Sequence, residues 1–140
     1  MTRKRILIAF SFGGIASLCL MMWGGYVLLF HTGIRRALPW NATEIVEYYE
    51  GYGILPDFLL CLKARINEGD FPAYAQRLGL TPCDKEVDGA WEFGTNACDK
   101  PWWDPSPSMA GAYLKDRTAE EFYMMAKHEN GFVYVIVDRW

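Results

Sequence analysis

Apolar positions fall into one long unbroken run and several short alternating ones. The long run is Ile6 to Phe30, ILIAFSFGGIASLCLMMWGGYVLLF, whose only polar side chains are Ser11, Ser17, the Cys19 thiol and the Tyr26 hydroxyl. At ~1.5 Å per residue such a helix reaches roughly 37 Å, enough for a ~30 Å hydrocarbon core. The pattern predicts a basic N-terminal tail (1–5), a single transmembrane helix (6–30), a juxtamembrane linker (31–41) and one small domain (42–140). A cleaved secretory or lipoprotein signal is the alternative. The run exceeds the usual h-region, His31-Thr-Gly lacks a small-x-small site, and Leu18 precedes Cys19 where a small residue is wanted. Arg3, Lys4 and Arg5 against Arg35 and Arg36 predict a single-pass protein with a cytoplasmic N-terminus and an exported C-terminal domain. Ala9, Gly13, Ser17 and Gly25 recur at multiples of four, a candidate helix-pairing face for self-association.

Beyond the linker the periods shorten. Asn41-Ala-Thr-Glu44 has the form of a capping box and predicts a two-turn helix over Ala42 to Glu50, closed by Gly51 and Gly53. Phe58, Leu60, Leu62, Ala64 and Ile66 alternate with Leu59, Cys61, Lys63 and Arg65, which predicts a strand. Asn67 to Asp70 is a turn. Phe71, Tyr74, Ala75 and Leu78 then recur at helical spacing until Gly79. Trp91 and Phe93 suggest a short strand. Pro101, Pro105 and Pro107 make the stretch Ala97 to Ser108 a loop. Phe122 to His128 and Phe132 to Asp138 flank Asn130-Gly131, the strongest local hairpin signal in the chain, with a pairing strand expected near Ala112 to Lys115. The expected fold class is α+β: after the transmembrane helix, a small antiparallel sheet of four or five strands with one main helix packed on it.

Charge narrows the partners. From Ala37 onward nine Lys/Arg face seventeen Asp/Glu, a net charge of −8. A domain that acidic is repelled by phosphate backbones, so no nucleic acid is expected. Three cysteines fall in the domain, without any C-x-x-C. In an oxidising compartment Cys83 and Cys98, which enclose 16 residues, are a candidate disulfide, and Cys61 is then a buried thiol.

The candidate binding surface is Trp91, Trp102 and Trp103 with Asp99 and Asp104. Flat aromatic faces bordered by carboxylates suit a sugar ring or a cationic side chain. The competing account is a satellite core in which the loop folds its tryptophans onto a sheet. His128, beside Glu129 at a hairpin tip, lacks an evident orienting partner. No catalytic residue, metal site or cofactor is indicated, since no G-x-S-x-G, H-E-x-x-H, P-loop or G-x-G-x-x-G occurs. The resulting expectation is a membrane-anchored, non-catalytic binding module of the cell envelope, in contact with the lipid bilayer and another envelope protein or a wall component. The rivals are an accessory subunit held through its transmembrane helix, and an envelope hydrolase using Asp99 and Asp104 as paired carboxylates.

Overall fold

The computed structural model describes residues 21–22, 32–52, 57–83, 98–115 and 122–139. The chain divides into two units, Met1–Arg36 and Ala37–Trp140. In the first, the short helix α1 (Gly33–Arg36) is capped by Thr32, whose Oγ1 accepts from the Arg35 N–H at 3.3 Å. The second unit is a six-stranded antiparallel sheet in the order β1-β2-β6-β5-β4-β3. Its strands are β1 (Thr43–Gly51), β2 (Phe58–Arg65), β3 (Thr81–Pro82), β4 (Ala112–Lys115), β5 (Phe122–Glu129) and β6 (Phe132–Arg139). A 3-10 turn (Glu68–Asp70) and helix α2 (Phe71–Arg77) join β2 to β3.

Three expectations are corrected by this architecture. The fold is not a transmembrane helix followed by a four- or five-stranded sheet under one main helix. Among the described residues the domain is mostly sheet, and the complete helices are two short ones of four and seven residues. Those helices rise only about 6 and 10 Å, and among the described residues none is long and apolar enough to cross a membrane. The transmembrane, single-pass and membrane assignments are therefore withdrawn, and the cytoplasmic N-terminus and exported domain deduced from them go too. Most of Ile6 to Phe30, including the pairing face Ala9, Gly13, Ser17 and Gly25, lies outside the described residues. The third correction is local: Ala42 to Glu50 is not a helix but most of β1. Thr43, Ile45, Val46, Tyr48 and Tyr49 are β-branched or aromatic, and pairing with β2 outweighs the capping-box signal. Glu44 has a φ of 50° at the bulge and makes an ion pair with Arg65.

The centre of the sheet was legible. Leu60, Leu62 and Ala64 of β2 register against Val137, Val135 and Val133 of β6, and all six are buried. On this face Phe71 of α2 meets Tyr113 edge-on at 5.0 Å and lies 5.8 Å from the His128 ring. The β5–β6 hairpin turns at Asn130 and Gly131, with φ of 53° and 81°, as a two-residue type I′ loop requires. A Cβ at Gly131 would also stand 3.5 Å from Arg65 Nη1. Gly131→Val should therefore cost ~1–3 kcal/mol. Because β6 lies inside the sheet, the loss should appear as one cooperative shift in a urea titration, and an unchanged midpoint would show that the turn is not needed.

Candidate functional site

The second face of the sheet carries the residues singled out in the sequence. Cross-strand register places Leu59, Cys61, Lys63 and Arg65 of β2 beside Asp138, Ile136, Tyr134 and Phe132 of β6. Met125, Lys127 and Glu129 of β5 continue the same rows. The proline-rich segment Cys98–Ser108 lies over this face. Two backbone bonds turn it early: Lys100 N–H donates to the Cys98 carbonyl at 2.8 Å, and Trp103 N–H to the Lys100 carbonyl at 2.9 Å. That turn drives Cys98 and Trp103 into a cluster with Leu59, Cys61, Ala112, Met125, Tyr134 and Ile136.

Trp103 is 6% exposed, edge-on to Tyr134 at 5.5 Å and to the half-buried Trp102 at 6.0 Å. The loop thus folds its tryptophans over the sheet, which leaves Trp103 no open ring face for a ligand. Trp91 lies outside the described residues. Asp104 accepts from Lys63 Nζ at 2.5 Å and from the Tyr134 hydroxyl at 2.8 Å. Lys63 also donates to the Trp102 carbonyl at 3.1 Å and lies 4.7 Å from the Phe132 ring centre. The Lys63 and Tyr134 donors hold the Asp104 carboxyl below its ordinary range. Burial alone would lower the Lys63 ammonium, but Asp104 and Tyr134 outweigh it and raise it. An ionised carboxylate tied to a lysine is a poor general acid, and Asp99 is exposed. Asp104 serves here to pin the loop to β2 and β6.

A second knot was not foreseen in the sequence. Lys127, 4% exposed, donates from Nζ to Ser106 Oγ at 2.5 Å, to the Ser106 carbonyl at 3.2 Å and to the Ser108 carbonyl at 2.8 Å. It also pairs with Glu129 Oε2 at 2.8 Å, which accepts from the Ser106 hydroxyl at 2.9 Å. A lysine against a serine hydroxyl is the outline of a Ser–Lys nucleophile pair. A base, however, needs a free lone pair on nitrogen. Here two carbonyls, the Ser106 hydroxyl oxygen and a carboxylate share its three N–H bonds, so all three are engaged. The arrangement is a clamp on Ser106 and Ser108. The signal is Lys127 directly following the run Phe122 to Ala126, at an inward position of the same strand.

His128 is half-buried, and its Nε2 donates to the Ile66 carbonyl at 3.2 Å, so it joins two elements of the fold. Cys61 and Cys98 are buried, whereas Cys83 is half-exposed, and all three are thiols. Cys61 and Cys98 belong to the same buried cluster, close enough for their thiols to interact. Among the described residues no group of three or more His, Cys, Asp or Glu is placed to hold a metal ion.

Among the described residues the two outermost strands of the sheet differ from each other. β3 is two residues long and ends in Pro82, which cannot donate to a further strand. β1 is nine residues long, and none of them is buried. Its bulge lies between Thr43 and Val46, after which Val46 to Gly51 pair regularly with β2. Val46 is 38% exposed, Tyr49 60% and the following Tyr52 50%. Tyr49 stacks on Phe58 at 5.5 Å, and Lys100 Nζ sits 3.9 Å over the Tyr48 ring. The chain matches no family model, no curated protein and no solved structure.

Proposed function

We propose that this chain is a non-catalytic binding module that takes an extended, basic segment of a protein partner onto the edge of β1. The observation that supports this reading is the contrast between the two edges. The β3 edge is closed by brevity and a proline. The β1 edge offers six regular residues, Val46 to Gly51, with exposed apolar and tyrosine side chains. Main-chain pairing on such an edge supplies affinity, and the side chains supply choice of partner. Glu47 and Glu50 lie on opposite faces of β1, so carboxylates border the edge on both sides. A second copy laid against β1 would set glutamates near glutamates, which is destabilising. Lysine or arginine in the added strand meets them instead, in a domain of net charge −8.

The test uses two labelled ten-residue peptides on the intact chain, one alternating lysine with valine and tyrosine, the other with glutamate in place of lysine. Anisotropy at low ionic strength should show binding of the lysine peptide alone. Glu47→Lys combined with Glu50→Lys should weaken it by about tenfold or more and admit the glutamate peptide. Equal binding of the two peptides by the parent, or no change in the variant, would remove the reading.

A further inference from the structure

Three features outside the proposed docking edge carry unused chemistry: the Lys127 clamp, the Lys63–Asp104–Tyr134 group and the thiols of the covered sheet face. The first two are saturated by their own partners. The thiols are different, because two of them are buried in one packed cluster.

We propose that Cys61 and Cys98 are a disulfide-forming pair, closed by thiol–disulfide exchange with a small-molecule disulfide, which fastens the proline-rich loop to the central sheet. Cys61 is 0% exposed on β2, and Cys98 is 3% exposed at the start of the loop. They share one packed cluster with Leu59, Trp103 and Met125, where the two thiols are close enough to interact. Cys83, the other thiol of this region, is half-exposed and not part of that cluster, although its N–H donates to the carbonyl of Ala112, which is, at 2.9 Å. The fold therefore selects a pair that chain distance disfavours. A bond between residues 83 and 98 encloses 16 residues and one between 61 and 98 encloses 38, so in an unfolded chain the shorter closure is favoured.

The chemistry has an order. Burial pushes both thiols up, so neither is a ready thiolate while the loop is seated. Cys98 leaves with the loop, whereas Cys61 is fixed in a central strand. When the loop lifts, the Cys98 thiolate attacks one sulfur of the small-molecule disulfide and expels the first thiolate. As the loop reseats, Cys61 attacks the Cys98 sulfur of the mixed disulfide and expels the second. The two cysteine protons pass to the two released thiolates. Two protein thiols are oxidised, one external disulfide is reduced, and one internal bond forms.

The experiment treats the intact chain with oxidised glutathione, in buffer and in fully denaturing urea. Free thiols are then alkylated and linked peptides are mapped by mass. In buffer, and in urea just below the unfolding transition, the 61–98 link should dominate and the thermal midpoint should rise by about 10 °C, reversibly on reduction. In denaturing urea the 83–98 link should exceed it. Cys83→Ser should leave the native product unchanged, and Cys98→Ala should abolish both the link and the thermal shift. A native product dominated by any other link, by glutathione adducts alone, or by unreacted thiols just below the transition would overturn the proposal.

Discussion

Trp103→Ala should lower the stability of the sheet domain by about 3–5 kcal/mol, the usual range for removing a buried large aromatic ring. The ring is 6% exposed and stands edge-on to both Tyr134 and Trp102. It also holds Cys98 and the Lys63–Asp104–Tyr134 group in place, because all belong to the same covered face. A domain of this size has only about 5–15 kcal/mol in total. The thermal midpoint should fall by more than 10 °C. Trp103→Phe keeps part of the ring and should lose less than half as much. The Cys98 thiol should react with a maleimide faster in Trp103→Ala than in the parent, because the loop that covers it is no longer seated. A midpoint within two degrees of the parent, with Cys98 still protected, would show that the tryptophan caps the sheet without supporting it.

Local signals were readable where two independent preferences agreed. β2 alternates, and its alternation matches real faces, with Leu60 and Leu62 toward α2 and Cys61 and Lys63 toward the loop. Asn130-Gly131 satisfied both turn chemistry and the flanking β-propensity, so the hairpin and the β4 partner of its first arm could be read directly. The pattern misled where a cap motif competed with β-branched residues. Asn41 to Glu44 resembles a helix start, yet Asn41 donates from Nδ2 to Asp70, and Glu44 turns through a positive φ to meet Arg65. Both partners are distant in sequence, 29 and 21 residues away, so no local window contains them. The transmembrane reading failed to carry into the fold for a different reason. Among the described residues no helix is long and apolar enough to cross a membrane, and most of Ile6 to Phe30 lies outside them.

The covered face shows the same division. That the loop of Ala97 to Ser108 would be irregular and aromatic followed from its prolines. Which of its residues would be interior did not, because Trp102 and Trp103 are chemically alike and only the backbone turn from Lys100 to Trp103 sorts them. Cys98 joins the cluster of Cys61, 37 positions away on β2, a placement made by the loop's path and not by spacing. The edge of β1 is not legible for a simpler reason: its sequence carries a helix-cap pattern, and an edge is defined only once the strand order is known.

Lys127→Met should cost about 3 kcal/mol at neutral pH, and the cost should shrink on acidification. Lys127 is nearly sealed from solvent, and its removal leaves the Ser106 and Ser108 carbonyls without their donor. It also strips Glu129, whose side chain is 23% exposed, of its counter-charge. In the parent, burial pushes the Glu129 carboxyl up, but the Lys127 and Ser106 donors outweigh it and hold it below its ordinary value of 4.5. A folded value lowered in this way adds stability above the unfolded value, and that stability drains away as pH falls through the lower folded one. Asp104, held down by Lys63 and Tyr134, contributes in the same direction. The parent should therefore lose stability below about pH 4.5. In Lys127→Met the lowering of Glu129 shrinks, since burial then acts with only the two Ser106 bonds to oppose it, and less stability is lost on its protonation. Urea titrations of both chains at pH 7 and pH 4 should show the gap between them narrowing by ~1 kcal/mol. Adding Glu129→Met to Lys127→Met should recover much of the loss, because an apolar pair replaces a stranded carboxylate. A gap that is constant with pH, or a double variant no better than the single, would mean that Lys127 acts through its carbonyl contacts alone and that its pairing with Glu129 contributes nothing.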